Sequence, residues 1–118
     1  MSDNLQSFDI EHLNDISNGD EDFKKELIGI FLEQIPEFVN NMNEFFDEKK
    51  FDKLAREAHT AKSSVLIFGM ADTGLLLKDI QHLAENNEGP EIQPKLKQVE
   101  MELNKVKNDL MILLKEWK

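Results

Sequence analysis

The 118-residue chain is the size of one domain and long enough to bury roughly two thirds of its unfolded surface. It has no cysteine, which excludes disulfides, thiolate metal sites and cysteine nucleophiles, and too few glycines and prolines for a turn-rich all-β chain. A net charge of −10 disfavours nucleic acid and anionic membranes as partners, and no apolar run approaches the roughly 20 residues of a membrane span.

In chain order, MSDNLQSFD, residues 1–9, is polar and acidic, without signal-peptide character. A short helix over Ile10 to Ile16 follows, with Asp9 as its cap. SNGDED then stops and restarts the chain. Asn18 to Asp20 supply caps, and Glu21 and Asp22 place negative charge at the positive end of the next helix. That helix carries Phe23, Leu27, Ile30, Phe31, Ile35, Phe38, Met42 and Phe45 at spacings of three and four, which make one apolar face. Pro36 interrupts the pattern, so the helix is either bent or in two pieces. After DEKK a third helix begins near Phe51, with Leu54, Ala58, Ala61, Val65 and Phe68 as its core stripe and Gly69 as its stop. A fourth runs from about Asp72 to Asn86 with Leu76, Ile80, Leu83 and Ala84 inside. ENNEGPEIQP reads as a loop, and the last helix follows from near Pro94. Its seam is Leu96, Val99, Leu103, Val106, Leu110, Leu113 and Trp117.

Period-two alternation is not found. Helices with one apolar stripe each, joined by short loops, predict an all-α fold. The expected form is an antiparallel up-down four-helix bundle over residues 18–118, with a short additional N-terminal helix in 1–17, all within a single domain spanning 1–118.

The chemistry concentrates in AREAHTAKSSVLIFGM, Ala55 to Met70. On the helical wheel His59 lies about 140° from the core direction, toward water. Ala55, Arg56, Lys62, Ser63 and Leu66 surround it. Lys62, at i+3, has its Cβ about 5–6 Å from that of His59 and can meet negative charge arriving at the ring. Neutral imidazole exists near neutral pH and its free nitrogen can accept a phosphoryl group. If the chain folds back at Gly69, then Lys78, Gln81 and His82 face the His59 turn, and Gln81 is placed to hydrogen-bond the imidazole. The rival reading is a plain polar helix surface, since a histidine with lysine at i+3 also arises by chance. His12, beside Glu11 and Asp15, and His82, with Glu85 at i+3, read as surface residues. A di-metal carboxylate bundle needs Glu-x-x-His on two helices. Here Asp9 and Asp79 hold the places before His12 and His82, so no metal site is expected.

The same stretch resembles the signature of histidine-containing phosphotransfer (HPt) domains. The resemblance lies in Ala58-His59, Lys62 three residues on, small Ser63 and Ser64, and Gly69 ten after the histidine. GDEDFKKELIGIFLEQIPEF resembles the family's preceding helix, and the likeness covers Asn18 to about Asn86. It implies a helical bundle that accepts a phosphoryl group on His59 from a receiver-domain aspartyl phosphate and passes it to another receiver. Lys62 would neutralise phosphoryl charge. Ala55, Arg56, Ser63, Leu66, Gly69, Lys78 and Gln81 would support the site or meet the partner. Leu66 and Ile67 either form part of that docking face or lie buried under the N-terminal helix. Ser63 stands where the family usually has glycine, which predicts tighter access. Lys50 stands where many members have an acidic cap, which predicts a looser start to the third helix.

The partners implied are receiver domains of response regulators or of a hybrid histidine kinase. They would bring Mg²⁺, so the chain needs no cofactor of its own. No glycine-rich phosphate loop or Walker-type motif is present, which predicts a phosphoryl carrier without kinase activity. A cytoplasmic, monomeric, free-standing protein is expected. The alternative is a non-catalytic bundle that binds a receiver or another signalling protein without carrying phosphate.

Overall fold

The computed structural model describes residues 7–116. They form five helices and no strand: α1 (Ile10–Ser17), α2 (Glu21–Asp47), α3 (Phe51–Ile67), α4 (Ala71–Glu85) and α5 (Gly89–Glu116). The Asp9 carboxylate caps α1 by accepting from the Glu11 and His12 amides, and Asp20 caps α2 by accepting from Phe23. The helices that start at Phe51 and Ala71 have no side-chain cap.

The first four helices end in the same way. A residue in the left-handed region follows each: Asn18, Lys49, Gly69 and Asn87. In each turn that residue and the next donate back to two carbonyls of the last turn, as Met70 does to Val65 (3.1 Å) and Gly69 to Leu66 (3.0 Å). Glycine and asparagine tolerate this conformation, whereas Lys49 adopts it against its side chain's preference.

Pairs of polar contacts fix how neighbouring helices run. Asn41 donates to Glu57 (3.1 Å) and Ser64 to Gln34 (3.1 Å), so α2 and α3 run in opposite directions. Lys95 meets Asp79 (3.6 Å) and Thr73 donates to Glu102, which orders α4 against α5 the same way. The core between them is continuous from Phe8 and Leu13 through Phe31, Leu54, Leu77 and Leu103 to Leu110. Phe31 stacks on Phe68 with ring centroids 4.4 Å apart.

Four expectations change. First, of the two forms expected at Pro36, the two-piece one is excluded: α2 is a single helix through it, the ladder lacks that one donor, and buried Ile35 and Phe38 on either side hold the helix to the core. Second, its buried face is Lys24, Ile28, Phe31, Ile35, Phe38 and Met42, while Phe23 and Ile30 are exposed. Third, α4 buries Leu77 with Ile80 and Ala84, and leaves Leu76 and Leu83 partly covered. Fourth, α5 begins at Gly89, five residues before Pro94. Pro90 lies in the first turn, where a missing N–H is harmless, and buried Ile92 anchors the start. The loop shrinks to residues 86–88. Trp117, expected in the α5 seam, lies outside the described residues.

Candidate functional site

Leu54, Ala58, Ala61 and Val65 are buried, and this stripe turns His59 outward on α3, where it is exposed. The small alanines let α3 lie close to its neighbours, while the exposed face carries the imidazole. The adjoining helix supplies its partner. His59 Nδ1 lies 3.4 Å from Gln81 Oε1, at the long end of hydrogen bonding. The Gln81 amide nitrogen in turn donates to Glu85 (3.2 Å).

A second cross-helix contact sets the register. A Cβ built on Gly74 would lie 2.9 Å from Leu66 Cδ2 and 3.9 Å from Lys62 Cγ, so Leu66 and the Lys62 stem pack on the bare backbone of α4. Leu66 opposite Gly74 and His59 opposite Gln81 make α3 and α4 an antiparallel hairpin centred on Met70. In that register Lys62 and Lys78 share one level, one turn from His59 toward the turn between the helices. Among the described residues, no carboxylate lies within ion-pairing distance of Arg56, Lys62 or Lys78. They therefore remain available to an incoming anion. A groove lined by Asp52, Ala55, Arg56, His59, Thr60, Gln81 and Glu85 opens beside the imidazole.

The other site candidates fall into place around this pair. Ala55 is only 6% exposed because α4 covers that flank of α3, so it floors the groove and does not project toward a partner. Ser63 is exposed and its hydroxyl donates back to the His59 carbonyl (3.4 Å). Leu66 and Ile67 are both exposed, which excludes their burial under α1. Gly69 sits at the end of α3, with φ +69°, and a Cβ there would come within 2.5 Å of Asp9 Cβ. The Asp9 amide donates to the Phe68 carbonyl (2.8 Å), so α1 is fastened over this turn. Gly69 thus shapes the hairpin from a distance. Of the three histidines, only His59 has a ring hydrogen-bond partner among the described residues.

Two residues escaped the sequence reading. Glu85 stands at i+4 from Gln81, a spacing that could have disclosed it. Gly74 could not have been found without the helix register. Charge distribution was also missed. The first 48 residues hold thirteen acidic and two basic side chains, and the remaining 70 hold eleven and twelve. The whole net negative charge therefore belongs to the N-terminal segment through α2, and the helices carrying the site are close to neutral.

Among the described residues no cluster of three or more histidines or carboxylates is arranged to hold a metal ion, and no helix is long and apolar enough to cross a membrane. Comparison with protein families matches the Hpt domain over residues 26–109, more than two thirds of the chain and inclusive of His59, Lys62 and Gln81. Neither the comparison with curated proteins nor that with solved structures finds a match.

Proposed function

The chain belongs to the Hpt domain family, and from that premise we propose that His59 is its phosphoryl acceptor. Hpt domains are phosphocarriers of phosphorelays that work with receiver domains. The observation that carries the assignment to His59 is its exposed imidazole against Gln81 Oε1, one turn from two lysines without an ion-pair partner among the described residues.

The amide oxygen of Gln81 only accepts, so its contact is a hydrogen bond when Nδ1 carries the proton. Nε2 then holds its lone pair toward solvent. It attacks the phosphorus of a receiver's aspartyl phosphate in line. The N–P bond forms, the P–O bond to the aspartyl group breaks, and the carboxylate leaves with the bonding pair. The ring keeps its Nδ1 proton and becomes cationic beside the transferred phosphoryl group. Lys62 and Lys78 offset the added negative charge. The reverse sequence on a second receiver's aspartate empties the site. The receiver brings Mg²⁺ and its acidic pocket, so this chain contributes nucleophile, orientation and positive charge.

The helix pairings support reading α2 to α5 as an up-down four-helix bundle with α1 added, in one domain over 1–118. A monomeric, cytoplasmic carrier without kinase activity completes the proposal. The test is incubation with phosphorylated receivers. Acid-labile, base-stable label is expected on the native protein and on His12→Gln and His82→Gln, but not on His59→Gln. Label that survives loss of His59 refutes the assignment.

A further inference from the structure

We propose that Glu85 is a positioning residue for His59: it fixes which end of the Gln81 amide meets the imidazole, and so which ring nitrogen stays free to react. The consequence for transfer rests on His59 being the phosphoryl acceptor. The tautomer it dictates belongs to the unphosphorylated protein and stands apart from that reading.

The chain of contacts runs from one helix to the other. Glu85 Oε2 accepts from Gln81 Nε2 at 3.2 Å, and Gln81 Oε1 faces His59 Nδ1 at 3.4 Å. A glutamine amide is nearly symmetrical in shape, with a donor end and an acceptor end. Alone, it can present either end to an imidazole. An ionised carboxylate can only accept, so it selects the NH₂ end for itself and leaves the oxygen for His59. The oxygen pairs only with Nδ1–H, which leaves the Nε2 lone pair outward. The flipped amide would present NH₂ to the ring. Nδ1 would then have to be the acceptor, Nε2 would carry the proton, and the outward nitrogen would have no lone pair for attack.

Helix geometry supports this order. Gln81 and Glu85 are one turn apart on the α4 face toward α3, and both line the groove beside His59. Glu85 is exposed at the last residue of α4 and packs nothing in the core. Its carboxylate is not part of the reacting pair. It acts through Gln81 alone.

The experiment reads the ¹⁵N shifts of the His59 ring nitrogens above the titration of the imidazole. Protonated Nδ1 and bare Nε2 are expected in the native protein. Glu85→Ala should move the population toward Nε2–H and slow labelling from a phosphorylated receiver about three- to tenfold, the effect of one neutral hydrogen bond. Adding Gln81→Glu to Glu85→Ala should restore Nδ1–H, because a carboxylate at 81 accepts whichever way it turns. Glu85→Gln, which preserves shape but can offer either end of an amide, should fall between. An Nε2–H tautomer in the native protein, or one unchanged by Glu85→Ala and Glu85→Gln, overturns the proposal. A tautomer that shifts as stated, with no receiver able to label His59, upholds the role of Glu85 and refutes phosphotransfer instead.

Discussion

Gly69→Ala tests how the hairpin that carries the site is held. Two separate penalties arise at that position. The backbone stands at φ +69°, where a Cβ adds about 1–2 kcal/mol. The new Cβ would also lie 2.5 Å from Asp9 Cβ and 3.3 Å from His12 Cβ. Both atoms are tied directly to the α1 backbone, so no rotamer change relieves the overlap. Either α1 or the turn must move, and the Asp9 to Phe68 hydrogen bond of 2.8 Å is strained or lost, about 1 kcal/mol more. The sum is about 2–3 kcal/mol, measured as a fall in the urea midpoint at constant slope. Asp9→Gly separates the two penalties. It removes the atom that clashes, and glycine is tolerated at an N-cap within a few tenths of a kcal/mol. In that background Gly69→Ala should cost little beyond the backbone penalty, which leaves an interaction energy of about 1 kcal/mol between the two sites. Equal cost in both backgrounds refutes the close approach of α1 to the turn. A cost below about 1 kcal/mol in the native background refutes the left-handed conformation as well.

Gly74→Ala should leave stability unchanged or raise it by up to about 1 kcal/mol, since alanine is the better helix former and the displaced Leu66 methyl is the end of an exposed side chain. The same change pushes Leu66 off α4, so labelling by a receiver should slow while thermal unfolding does not fall. Lys49→Gly should stabilise by about 0.5–1 kcal/mol in urea, because it frees the α2–α3 turn of its unfavourable φ of 59°. Lys62→Ala should reduce the labelling rate about tenfold, the value of one charge-assisted contact of about 1.5 kcal/mol, with stability within about 0.5 kcal/mol of native. Leu103→Ala, at a fully buried α5 position, should cost about 2–5 kcal/mol in the same unfolding assay.

The sequence disclosed α3 well because its stripe is unambiguous. Leu54, Ala58, Ala61 and Val65 recur at helical spacing with polar residues between them, and only one phase buries them all. Outward exposure of His59 and the approach of Gln81 followed from that phase and from the stop at Gly69. In α2 the apolar residues come as neighbours, Leu27 with Ile28 and Ile30 with Phe31, so two phases about 100° apart fit the pattern. Packing against α3 and α5 selects Ile28 and Phe31, and the Lys24 stem goes under with them while its ammonium meets Glu21 at 3.1 Å. Leu75, Leu76 and Leu77 pose the same ambiguity in α4, and Leu77 takes the core. Pro94 misled for a different reason. A proline removes one donor, but near a helix start the buried side chains of Ile92 and Leu96 outweigh that loss. Ala55 shows the limit of a wheel, which places a residue relative to its own helix and says nothing of which flank a neighbour covers.

Charge distribution gives the hairpin a further property that neither motif nor register reveals. The segment through α2 holds thirteen acidic and two basic side chains. Adjacent packed helices lie about 8–10 Å apart, and the screening length at physiological salt is about 8 Å. The acidic field of α2 is therefore weakened, but still present, where a partner touches α3, and it is largely gone a helix diameter further out. An acidic partner approaching the α2 side meets repulsion only at close range. On the α3–α4 side it meets Arg56, Lys62 and Lys78, which have no carboxylate paired to them among the described residues. Selection between faces then happens during final docking. A net charge of −10 and a partner with an acidic pocket are compatible for this reason: along the chain the acidic excess belongs to the segment through α2, while α3 and α4, which carry His59 and Gln81, are close to neutral.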